Sequence, residues 1–157
     1  MRDRAVVMLV AGTALLLACG SAKQSSVTAE PFDTNAEVGA WVHLWNTYDL
    51  SLLDDLFLTD DRVTYLSSER EGLIRGVDAL RAHHEGFGFV PGGREPEQAL
   101  WVDDVEATSF GPTSVVTGVW YFGDETTPET AQRGPMTIVY VWTADGYRIA
   151  HMHFASY

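Results

Sequence analysis

Gly146-Tyr147-Arg148-Ile149-Ala150-His151-Met152-His153-Phe154-Ala155-Ser156 closes the chain with the two-residue period of a β-strand. Working back from it, Ala144-Asp145-Gly146 reads as a tight hairpin turn, and Pro135–Thr143 as the strand before it. Ser114–Phe122 and Ala99–Ala107 continue the pattern, rich in Val, Thr, Trp and Tyr, with loops at Ser109–Thr113 and Gly123–Gly134. Successive strands with such links pair antiparallel.

Ahead of Gln98 the period changes. Val38, Trp41, Val42 and Trp45 recur at helical spacing, and Thr34-Asn35-Ala36-Glu37 has the form of a capping box, so a helix runs to about Tyr48. Ser51 can cap a second short helix through Leu52, Leu53, Leu56 and Phe57. Val63–Leu66 is short and β-prone. Gly76 precedes a third helix near Val77–Phe87, and Gly86–Pro96 is a Gly- and Pro-rich loop. Helices first and long strands afterwards predict an α+β domain with its helices on one face of an antiparallel sheet.

The 157 residues suffice for one domain and not two. Five Trp, six Tyr and seven Phe supply an aromatic core. A net charge of −12 excludes a phosphate-neutralising surface, so no nucleic-acid partner is expected. One Cys excludes a disulfide framework.

That Cys stands in a telling place. Arg2 and Arg4 precede an apolar run from Ala5 to Leu17, too short to span a bilayer and suited to a signal peptide. The run ends in Leu16-Leu17-Ala18-Cys19, which resembles a bacterial lipobox. The resemblance implies cleavage before Cys19, lipid on that residue, and a protein exported and anchored to the cell membrane or the outer membrane. Loss of residues 1–18 leaves 8 basic and 21 acidic residues, a charge of −13. Residues 19–33 have the composition of a tether, leaving 34–157 as the domain.

The closing strand, with its Gly, aromatic, Arg, Ile, His-x-His and Ser, resembles that of SnoaL-like domains in the NTF2-like superfamily. Trp45…Tyr48-Asp49…Leu53…Leu56-Phe57 and Arg75-Gly76-Val77…Leu80-Arg81 resemble the same branch. The likeness covers residues 34–157 and implies a cone: a strongly curved sheet wrapped around the N-terminal helices, with a cavity between them. The superfamily hosts isomerases, cyclases, dehydratases and non-catalytic modules, so fold alone names no activity.

Candidate chemistry is sparse. His151 and His153 leave the same strand face, and a metal there would need a third ligand such as Asp49 or His84. The family's closing strand explains both histidines without one, so neither metal nor cofactor is expected. Tyr48-Asp49 with Tyr65 is similar to scytalone dehydratase, an NTF2-like enzyme. Its strand histidines would fall near Ala99 and within Val115–Trp120, where this chain has none. Only His84, or His151 with His153, could substitute.

Ketosteroid isomerase, of the same superfamily, takes its base from an Asp after the first strand. Leu66-Ser67-Ser68 offers no carboxylate there. Asp103 and Asp104 point to opposite strand faces and form no dyad. Trp45, Tyr48, His84, Trp101, Trp120, Tyr140 and His153 are the candidate pocket residues, with Asp49, Tyr65 and His151 as the candidate acid–base set.

Three readings remain open. One is binding of a small apolar or weakly acidic molecule. The second is cofactor-independent isomerase, cyclase or dehydratase chemistry. The third is a homodimeric assembly module.

Overall fold

Asp33 begins the first helix. Its extended backbone (φ −96°, ψ 98°) turns a carboxylate oxygen toward Asn35 N–H and Ala36 N–H, each 3.1 Å away. The cap therefore stands one residue ahead of the expected Thr34 box, because a carboxylate satisfies two orphan donors and also meets the positive end of the helix. The computed structural model describes residues 29–157. The expected leader, Cys19 and the tether through residue 28 lie outside the described residues.

The tether meets the domain earlier than residue 34. Phe32 packs its ring 5.0 Å from both Tyr140 and Tyr147, and the Tyr147 hydroxyl donates to the Glu30 carbonyl at 2.9 Å. Glu30–Asp33 is thus bound to the fold.

Helix α1 (Thr34–Thr47) buries Val38, Trp41, Leu44 and Trp45 on one stripe. It ends at Tyr48 in the left-handed region (φ 51°, ψ 32°), a conformation that costs a side-chain-bearing residue roughly 1–2 kcal/mol. Packing offsets that cost: Phe89 stacks on the Tyr48 ring at 4.4 Å and the Arg94 guanidinium lies over it at 4.3 Å. A single helical turn at Leu50–Leu52 leads into α2 (Leu53–Leu56). Asp49 caps that single turn, where Ser51 was expected as the cap, and α2 itself starts without a side-chain cap.

Strands β1 (Thr64–Leu66) and β2 (Ile74–Arg75) precede α3 (Val77–Gly86), and β2, only two residues long, was not expected. Four long strands follow: β3 (Ala99–Phe110), β4 (Thr113–Gly123), β5 (Gln132–Thr143) and β6 (Gly146–Phe154). The sheet order is β2-β1-β6-β5-β4-β3. The last four strands form the expected antiparallel meander, but β1 runs parallel to β6, so the sheet is mixed. No hairpin joins those two strands: β2, α3 and β3 to β5 lie between them in the chain, so the connection leaves β1 free to take either direction.

Bulges at Asp103/Glu106 and Val139/Tyr140 interrupt the register. Such insertions sharpen twist and bend the sheet around the helices. The second also changes which way β6 faces. Tyr147 and Ile149 are buried, so uninterrupted alternation would turn His151 and His153 inward. Past the irregularity it is Met152 and Phe154 that are buried.

The inner face then carries Val116, Ile138, Met152 and Tyr65 in one row across four strands, packed on Trp41, Leu44, Leu53, Phe57 and Leu80. The outer face carries Val115, Val139, His151 and Thr64 in the neighbouring row.

Candidate functional site

The inner face ends in a cavity of about 170 Å³. Trp45 reaches it from the last turn of α1 and Phe87 from the cap of α3, while Leu100, Trp120, Phe122 and Phe154 come from the sheet. Strand register explains the sheet contribution: Leu100 pairs with Phe122, and Trp120 lies two residues before Phe122 on the same face. Ser68 and Glu69 from the loop after β1, and Gln132 at the start of β5, complete the lining.

A close approach shapes the far wall. A Cβ on Gly134 would stand 1.8 Å from the Ala155 carbonyl oxygen, so only glycine lets the C-terminal tail lie there. The same carbonyl accepts the Trp120 indole N–H at 3.0 Å. Phe154 packs against Trp120 at 5.7 Å and 78°.

The polar side is built from the β1 loop. The Ser67 and Ser68 hydroxyls donate to the two carboxylate oxygens of Glu69. Tyr65, buried beneath, has its phenol pushed well above the ordinary range, first by burial and then by the Glu69 charge. His83 is pushed down, chiefly by burial, with Glu69 opposing and Arg70 reinforcing the shift.

His84 lies deeper, with no exposed surface, among Trp45, Phe57, Tyr65 and Phe89. Its Nδ1 is 2.9 Å from the Leu80 carbonyl, which can only accept, so Nδ1 carries the proton. Burial holds its pKa down at about 4, leaving the ring neutral.

The expected site residues disperse over the molecule. Trp45 and Trp120 line the cavity. Tyr65 and His84 belong to the packing beneath it. Tyr48 is taken up by Phe89 and Arg94. Tyr140 is at the other end of the cone, donating to the Glu37 carbonyl at 3.3 Å. Trp101 is on the outer face, stacked on Tyr121 at 5.2 Å and 8°.

Asp49 serves structure. Its carboxylate accepts from Ser51 N–H (2.9 Å), the Ser51 hydroxyl (2.6 Å) and Gly92 N–H (2.9 Å), and those bonds hold its pKa below the usual carboxylate value. His151 sits on the outer face with its Nδ1 2.8 Å from the Thr64 hydroxyl, and His153 follows on the same face. Asp49, Tyr65 and His151, expected as an acid–base set, thus lie in three separate surroundings. Among the described residues no three His, Cys, Asp or Glu side chains come together as a metal site.

The residue that sequence reasoning missed is Glu69. A carboxylate was sought at Leu66-Ser67-Ser68 and arrives one position later, carried to the cavity by a loop whose path no periodicity reports.

No protein-family model matches the sequence, and no curated protein matches it. Solved structures do match. An NTF2-like superfamily protein from Salmonella enterica superposes with a TM-score of 0.64 at 17% identity, covering 78% of this chain and 87% of that one. The fold is NTF2-like. An NTF2-like protein of unknown function from Pseudomonas putida KT2440 gives a TM-score of 0.65 at 12% identity, covering 77% and 82% of the two chains. The S. rosetta CaMKII hub gives 0.60 at 19% identity, covering 82% of this chain and all 100% of the hub chain. At these identities the likeness is one of architecture. What the three structures share with this chain is the NTF2-like fold.

Proposed function

We propose that this chain is an exported, lipid-anchored domain of the SnoaL-like branch that holds a small apolar molecule in the cavity at the mouth of its cone. The observation that carries the reading is the lining itself: Trp45, Phe87, Leu100, Trp120, Phe122 and Phe154 make an apolar wall, with Ser68, Glu69 and Gln132 as its polar groups. Binding sites of this kind are concave and largely apolar, with a few polar groups that orient the ligand.

Size narrows the occupant. An apolar cavity of about 150 Å³ is enough for benzene, and pockets for drug-sized ligands run from about 300 Å³ upward. With about 170 Å³, this cavity suits a molecule of roughly one ring and is too small for a steroid. The carboxylate of Glu69 at the rim disfavours the weakly acidic ligand considered from sequence. Dispersal of Asp49, Tyr65 and His151 favours binding over acid–base catalysis by that set. The lipobox-like Leu16-Leu17-Ala18-Cys19 supports export and anchoring.

Tryptophan fluorescence tests the reading, since two of the five Trp line the cavity. Titration with benzyl alcohol should give a saturable change, lost when Gln132→Phe fills the exposed rim. A linear, unsaturable response would contradict it.

A second reading rests on the hub structure, whose whole length this chain matches. The domain would self-associate into a homodimer through the outer sheet face around Val115, Val139 and His151. Light scattering of the purified protein, giving monomer or dimer mass, decides that point.

A further inference from the structure

We infer that the molecule held in the cavity is a small organic ammonium cation, an inference that rests on the binding role proposed above. Five of the lining side chains are aromatic: Trp45, Phe87, Trp120, Phe122 and Phe154. These rings meet edge to face and not in a stack. Trp45 meets Phe87 at 64° and Phe122 at 74°, with centroids 5.8 and 6.0 Å apart, and Trp120 meets Phe154 at 78°. Rings in edge-to-face contact, all lining one pocket, offer aromatic surface there, and quaternary ammonium groups are attracted to such surface through the ring quadrupoles.

The only ionisable side chain in the lining is a carboxylate, Glu69. Among the described residues the ion pairs are Arg62–Asp60 and Arg81–Asp54, so none is made with Glu69. The Ser67 and Ser68 hydroxyls occupy one acceptor position on each of its oxygens. A carboxylate has about four such positions, so Glu69 retains acceptor capacity for a cation. Of the neighbouring guanidiniums, Arg133 lies over the Tyr157 ring and Arg70 is exposed; neither lines the cavity.

An anion at this rim would meet both a like charge and the negative faces of the rings. A cation meets neither penalty. The chain's net charge of −12 acts in the same direction, raising the local concentration of cations around the mouth. With about 170 Å³ available, the cavity accommodates a trimethylammonium head carrying a short arm.

Isothermal titration of the mature exported protein with choline chloride, and with its uncharged carbon isostere 3,3-dimethylbutan-1-ol, separates charge from shape. Choline should bind roughly tenfold more tightly than the alcohol, and Glu69→Gln should reduce that advantage roughly threefold or more. Glu69 is an exposed loop residue, so the variant retains the fold, which thermal unfolding checks. Equal or tighter binding of the alcohol, or an advantage untouched by Glu69→Gln, would overturn the cation inference while leaving apolar binding in place. Failure of both ligands to bind would overturn the cation inference and the binding role together.

Discussion

Trp120 donates its indole N–H to the carbonyl of Ala155, 35 residues later in the chain, at 3.0 Å. The bond ties the inner face of β4 to the C-terminal tail and holds one wall of the cavity. Gly134 makes room for it, because the Ala155 carbonyl occupies the place of any Cβ there.

Gly134→Ala should therefore displace the tail, release Trp120 and damage both stability and binding. Backbone cannot yield as a flexible side chain does, so the loss should be at least ~2 kcal/mol in urea denaturation. A variant as stable as the parent would show that the tail relaxes freely.

His84 should make the fold acid-sensitive. Burial holds its pKa at about 4 in the folded protein. A free imidazole titrates near ~6.5, so below that pH the unfolded chain gains a proton that the folded chain refuses. Stability is thus fully present above the free value and falls as pH drops toward the folded one, by an amount on the order of 3 kcal/mol. His83 and His151, both also lowered first by burial, add in the same direction. His84→Phe should flatten the slope of unfolding free energy against pH between neutrality and mild acid.

Asp49→Ala should lower the melting temperature and leave ligand affinity unchanged. The carboxylate caps the turn at Leu50–Leu52 and pins the Gly92 loop, but does not line the cavity. Loss of binding with unchanged stability would restore Asp49 to a functional role.

On the proposed export and anchoring, Cys19→Ser should move the protein from the membrane fraction to the soluble fraction. Anchoring by acyl chains grows by about 0.8 kcal/mol per buried CH₂, so if Cys19 carries the lipid as proposed, its substitution removes the attachment. Membrane association that survives the substitution would assign the anchor elsewhere.

The long strands were legible because their two-residue period runs for nine residues or more. β2 was not, since two residues carry no period. Trp45 and Trp120 could be read as apolar from their spacing, but the face that Trp101 takes depends on its register with Tyr121. His151 and His153 were legible as a same-face pair. Which face they take turns on one irregularity at Val139/Tyr140, where an extra residue in β6 inverts the alternation. Glu69 escaped notice because a loop, and not a repeat, brings it to the rim.

The central claim is that the cavity holds a small molecule. A native mass spectrum of a chain spanning residues 20–157, gently purified and compared with the denatured mass, tests it most directly. The account predicts extra mass on the folded protein, lost on denaturation and absent when Gln132→Phe fills the rim. Identical native and denatured masses for each protein subunit, whether monomer or dimer, would contradict it.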